Sequence, residues 1–190
     1  AGIYDLLLHR QDRAYSVPDL FTLAAAAGLR ITGFVEPARY DPCNYLQDAA
    51  LRKKVAALPW PEQCAAAELI CGNLKVHICY LVPAGTTREI PLTPESPIAV
   101  PMLKNVSGAV LAGRLQGAPA LSLNFDGSTI RLTLPKMAAE ITAQIYGERS
   151  VAEIRKGLGK GGHRLSKSAF LRQFNDLYKA LNGMNMMFLR

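Results

Sequence analysis

Apolar positions recur along this chain with two periods, and each change of period marks an element. Ser16-Val17-Pro18-Asp19 reads as a helix start. Ser can accept from free N–H groups of the first turn, Asp can reach back three residues, and Pro is tolerated there. Leu20, Leu23, Ala24 and Ala27 follow at helical spacing, with Gly28 placed to end the helix. Leu29–Val35 then reads as a strand closed by Glu36-Pro37. Residues 38–58 predict a helix on an excursion, interrupted by Pro59-Trp60-Pro61. An Ala-rich helix over Glu62–Cys71 stops at Gly72, and the apolar run Lys75–Val82 predicts a strand buried on both faces.

Five prolines (Pro83, Pro91, Pro94, Pro97 and Pro101) then break the pattern, which predicts a linker or an extended wrap. The expected organisation is a first unit over 1–84, a wrap over 85–119 and a second unit over 120–190. In the second unit, Ala120–Phe125 and Thr129–Leu134 flank Asp126-Gly127, a hairpin signal. Pro135 opens a helix with Met137, Ile141 and Ile145 on one face, ended by Gly147. Ser150-Val151-Ala152-Glu153 is a capping box before Ile154 and Leu158. Ser168–Asn182 predicts an amphipathic helix with Phe170, Leu171, Phe174, Leu177, Tyr178 and Leu181 inward, ended by Gly183, and Met184–Leu189 a closing strand. Hairpin, three helices and last strand suggest a small winged-helix-like unit, so the chain reads as α+β.

Composition narrows the classes. At 190 residues, mean hydropathy +0.09 and 19% charged residues, the chain is too apolar for disorder. No run reaches the ~18–20 apolar residues of a membrane helix. Cys43, Cys64, Cys71 and Cys79 have no C-x-x-C spacing and lie in apolar stretches, which predicts reduced thiols and a cytoplasmic location. Charge is uneven. Residues 1–95 hold 9 Lys+Arg against 10 Asp+Glu, a net −1, and residues 96–190 hold 13 against 5, a net +8. The excess belongs to the second unit and hints at an anionic partner.

The candidate chemistry is sparse. Gly157-Leu158-Gly159-Lys160-Gly161-Gly162 matches G-x-G-x-x-G as a string but follows a helix, whereas a dinucleotide loop needs a strand before it and a helix N-terminus after it. His9, His77 and His163 lack metal-ligand spacing, and His77 reads as a hydrogen-bonded core residue. Arg155, Lys156, Lys160, Arg164 and Lys167 are candidate partner-binding cations able to meet phosphates, although a solvated helix face explains them more simply. The richest polar group is His9, Asp12, Arg13 and Tyr15 with Tyr40-Asp41-Pro42 beyond the strand. Ligands of α/β sheets collect at such places, and a capping and salt-bridge network would use the same residues.

The run Leu6-Leu7-Leu8-His9-Arg10-Gln11-Asp12-Arg13-Ala14-Tyr15-Ser16-Val17-Pro18 resembles the later part of class I S-adenosylmethionine-dependent methyltransferases. Gly28-Leu29, Phe34, Pro37, Tyr40-Asp41-Pro42 and His77-Ile78-Cys79-Tyr80 extend the likeness over about the first 85 residues. The resemblance implies the terminal helix and antiparallel strand pair of a Rossmann-like sheet, with residues 38–73 inserted. The glycine-rich turn and ribose-binding acid of that family have no match in this sequence. A C-terminal part is therefore implied, binding S-adenosylmethionine only through an N-terminal methyltransferase half and not methylating alone. Ala139–Gly147 with Glu148–Ile154 is similar to small winged-helix peptide-binding chaperones, related modules of which stand behind bacterial methyltransferases. The implied role is substrate recognition or regulation on a protein or peptide, with His9, Asp12, Arg13, Tyr15 and Tyr40 contacting substrate. The alternative is a non-catalytic peptide- or nucleic-acid-binding module.

Overall fold

A computed structural model describes residues 13–87, 92–125, 127–162 and 165–190. The protein is a mixed helical and antiparallel β structure. Its elements are helix α1 (Val17–Ala26), strand β1 (Leu29–Phe34), 3-10 turns at Pro37–Tyr40 and Pro42–Asn44, α2 (Ala49–Ala56), α3 (Trp60–Cys71), β2 (Cys79–Pro83), β3 (Pro101–Leu103), α4 (Gly108–Leu115), the hairpin β4 (Ala120–Phe125) and β5 (Ser128–Thr133), α5 (Ala138–Thr142), α6 (Val151–Lys160), α7 (Lys167–Gly183) and β6 (Met187–Leu189).

Local signals explain most starts and stops. Ser16 caps α1 and Ser150 caps α6, each in a reciprocal box with Asp19 or Glu153. Asp48 accepts from Leu51 N to start α2. Pro59-Trp60-Pro61 opens α3 rather than interrupting a helix, because Pro costs little in a first turn whose N–H groups lack partners anyway. Gly72 ends α3 at φ +69°.

Two apolar clusters form. Val17 and Ala24 of α1, Ile31 and Phe34 of β1, Tyr40 and Cys64 make the first. The second is larger, built on Phe170, Phe174, Leu177 and Leu181 of α7 with Ile130 and Leu132 of β5 and Ile154 of α6. The inward stripe expected of α7 holds, with Leu171 and Tyr178 partly buried at its margin. Ala38 and Tyr45, from the turns after β1, pack into this second cluster, so the two halves share a seam.

Three two-stranded antiparallel sheets occur among the described residues: β1 with β2, β3 with β6, and β4 with β5. One expectation fails at β2. The run Lys75–Val82 is regular strand only from Cys79, and Val76, Ile78 and Tyr80 are 66%, 59% and 55% exposed, so it is not buried on both faces. Apolar character marked a strand, but no described element covers its outer side.

The stretch read as a wrap divides. Residues 88–91 lie outside the described residues. From 97 the chain does wrap: the carbonyls of Pro97 and Ala99 accept from Ala152 N and Val151 N, first-turn donors of α6 that have no partner in their own helix. β3 then pairs with β6, and Gly108–Leu115 is helix, with Leu111 and Leu115 in the second core.

Candidate functional site

Two polar arrangements stand out. The first is a buried relay. The Tyr40 ring, 5% exposed, stacks on Phe34 at 3.9 Å between centroids. Its hydroxyl lies 2.9 Å from His77 Nδ1, and His77 Nε2 lies 3.1 Å from Glu68 Oε1. A carboxylate only accepts, so Nε2 carries the hydrogen facing Glu68, and Nδ1 of a neutral ring accepts from Tyr40. Glu68 Oε2 also accepts from Val17 N at 2.8 Å, tying α3 to the first turn of α1. Burial pushes the Tyr40 hydroxyl up to about 12, so it stays protonated at neutral pH. The relay positions Tyr40 and α1, and His77 is the hydrogen-bonded core residue its setting predicted.

The second arrangement is a cleft of about 710 Å³ along the seam, within the size range of ligand sites. One wall comes from the first half, with Asp41, Arg52 and Trp60. The other comes from β5 and α7, with Arg131, Thr133, Tyr178 and Lys179. The consecutive residues 131–135 all line it, whereas no β4 residue does. Neighbouring side chains of a strand point to opposite faces, so a run of consecutive lining residues means that the edge of β5 faces the cleft.

Register shows what that edge offers. Phe125 pairs with Ser128, Leu123 with Ile130 and Leu121 with Leu132, and Leu134 N donates to Pro119 O at 3.0 Å. Bonding alternates along an antiparallel pair, so the even-numbered residues of β5 bond to β4. The backbone groups of Thr129, Arg131 and Thr133 point the other way, and among the described residues they have no hydrogen-bond partner.

Of the residues expected to contact substrate, three lie among the described residues, and these three are not joined in one group. His9 and Asp12 lie outside the described residues. Arg13 and Tyr15 are exposed before α1, the guanidinium 5.1 Å from the Tyr15 ring centroid. Tyr40 is buried and bonded to His77, and no described interaction joins it to Arg13 or Tyr15. Among the cations, Arg155, Lys156, Lys160 and Lys167 are exposed on α6 and at the start of α7, away from the cleft lining, and Arg164 lies outside the described residues. The glycine string falls in the last turns of α6 and the turn after it, at a helix C-terminus where carbonyls rather than N–H groups are free. Sequence reading missed the seam cations Arg52, Arg131 and Lys179. The alternation of Ile130, Leu132 and Leu134 with Thr129, Arg131 and Thr133 carried the signal for an outward-facing Arg131.

The four cysteines are free thiols, and burial pushes Cys64 up to about 12. No group of three or more His, Cys, Asp or Glu among the described residues could hold a metal, and no described helix is long and apolar enough to cross a membrane. Among the described residues no set fits S-adenosylmethionine. No described strand runs into a glycine-rich turn at a helix N-terminus, and among the described residues the carboxylate that closely follows a strand, Glu36 after β1, is held by Arg39 at 3.2 Å. No family model matches this chain, and no curated protein matches it.

Proposed function

We propose that this chain is the C-terminal substrate-recognition and regulatory portion of an S-adenosylmethionine-dependent methyltransferase acting on a protein or peptide. On this reading residues 17–83 are the closing elements of a Rossmann-like sheet, and the second unit is winged-helix-like. The observation that carries it is the β1–β2 pair. A two-stranded sheet is marginal on its own, and this one leaves Tyr80 and Leu81 in contact with solvent, with Val76 and Ile78 exposed just before it. Such a pair is suited to joining further strands and helices, as the last strands of a larger sheet do. The cofactor-binding half supplies S-adenosylmethionine, the methyl donor. This chain's residues hold the acceptor in place, and positioning is the larger need in such a transfer.

The test is to extend the chain through the reading frame upstream of Ala1 and to titrate both forms with S-adenosylmethionine by calorimetry. The expected result is binding by the extended form and no heat from the present chain. Micromolar binding by the present chain, or no binding by the extended one, overturns the reading.

The open edge of β5 favours a second reading, in which the second unit docks an extended peptide by strand addition. The two readings are compatible, since a recruited peptide is a methyl acceptor brought close. Nucleic acid is the weaker alternative, because Arg155, Lys156, Lys160 and Lys167, exposed on α6 and at the start of α7, are not among the residues that line the cleft.

A further inference from the structure

We infer that the β5 edge selects an extended peptide whose side chains alternate between acidic and apolar, with an acidic one standing opposite Arg131. The inference rests on the peptide-docking reading of the second unit and names the chemistry of its partner. An added strand continues the pleat, so each of its residues shares a face with the β5 residue directly across from it, about 5 Å away between Cβ atoms.

The outward face of β5 carries Thr129, Arg131 and Thr133, all exposed, and the inward face carries Ile130, Leu132 and Leu134, all buried. A peptide on this edge therefore meets two environments in strict alternation. Arg131 stands on the outward face, the cleft lining adds Arg52 and Lys179, and among the described residues none of the three is ion-paired. Two carboxylates oppose them, Asp41 and Asp176, and Asp41 already accepts from Cys43 N at 2.9 Å. The balance favours an anionic side chain beside Arg131, whose guanidinium can grip a carboxylate with two parallel bonds.

On the inner side an added residue shares its face with Leu132 and Leu134, both buried. An apolar side chain extends that face, whereas a polar one gives up water beside it, so apolar residues belong at those positions.

The probe is a fluorescein-labelled peptide alternating Glu and Val, its counterpart with Lys in place of Glu, and a third form N-methylated at alternate residues. Binding to the whole chain is read by fluorescence anisotropy. The Glu peptide is expected to bind, the Lys peptide to bind at least about fivefold more weakly, and Arg131→Glu to weaken the Glu peptide by a similar factor. N-methylation should abolish binding, since it removes the donors that face the edge while leaving the protein unchanged. Equal binding of Glu and Lys peptides with no effect of Arg131→Glu overturns the inferred chemistry but leaves peptide docking standing. Unimpaired binding of the N-methylated peptide overturns strand addition on β5. Failure of every peptide overturns the inference together with the peptide-docking reading.

Discussion

Gly108 and Gly113 sit in the same short helix, α4, and their surroundings demand opposite things. A Cβ added at Gly108 would collide with Thr142 O and Ile145 O, backbone atoms at the end of α5 and just beyond it. Backbone cannot yield as a flexible side chain can, so Gly108→Ala should destabilise by about 2 kcal/mol despite the better helix propensity of Ala. Gly113 has nothing within 4 Å, and Gly113→Ala should stabilise by about 0.5–1 kcal/mol. Urea denaturation of the two variants checks both signs. The relay gives a third case. Tyr40→Phe keeps the stacking on Phe34 but leaves His77 Nδ1 without its partner, at an expected cost of about 2 kcal/mol by the same measurement. Cys64, fully buried and with its thiol pushed up to about 12, should resist alkylation at neutral pH until the chain unfolds; labelling by iodoacetamide followed by peptide mass analysis reads this out.

The caps of α1 and α6 make these helices sensitive to acid. Bonds from the Ser16 side chain and backbone hold the Asp19 carboxyl below its ordinary value, and the Ser150 backbone and hydroxyl do the same for Glu153. With the folded value depressed, the unfolded chain takes up its proton first as pH falls. The caps' contribution is therefore complete above about pH 4–4.5 and fades as pH drops through the lowered values. Far-UV circular dichroism from neutral to acid pH should show helix loss in that window, with a flatter profile in Glu153→Gln, and Ser150→Ala should cost about 1 kcal/mol at neutral pH. These caps were legible in the sequence because they are local: four residues contain the whole interaction. The hairpin and the inward stripe of α7 were legible for the same reason. The strand at 75–82 was misjudged because burial on both faces is supplied by other elements, and an apolar run alone cannot show whether they are present. α4 escaped notice because a prolined segment precedes it and its apolar residues, Leu111 and Leu115, fill only part of two turns.

At the scale of the molecule, one of the close approaches that join the two halves explains a misread glycine. Gly183 suits a helix stop by type, yet it lies inside the last turn of α7, and the left-handed residue beyond it is Asn185 at φ +58°. What Gly183 provides is space: a Cβ there would lie 3.1 Å from the Ala38 Cβ. Ala38 belongs by sequence to the first half but is buried in the second core, and Arg39 beside it places its guanidinium 4.8 Å from the Phe125 ring centroid. The candidate cleft lies along the seam where the 3-10 turns come near β5 and α7, which is why its cations were invisible along the chain: Arg52 and Arg131 are neighbours of the same cleft through a seam, not through any spacing. A large side chain at Gly183 should therefore expel Ala38 from the second core and open the seam while leaving the first core intact. Trp60, the only tryptophan of the chain, packs on Phe21 and Phe34 in the first half and lines the cleft, so its fluorescence reports that half and the seam. In the native protein the urea transitions followed by Trp60 fluorescence and by far-UV circular dichroism should coincide, as expected of coupled halves. In Gly183→Leu the fluorescence transition should move to lower urea, reflecting a loss of about 1–3 kcal/mol, and separate from the main loss of helix. Coincident transitions in that variant would mean that the halves are coupled by something other than the Ala38–Gly183 contact.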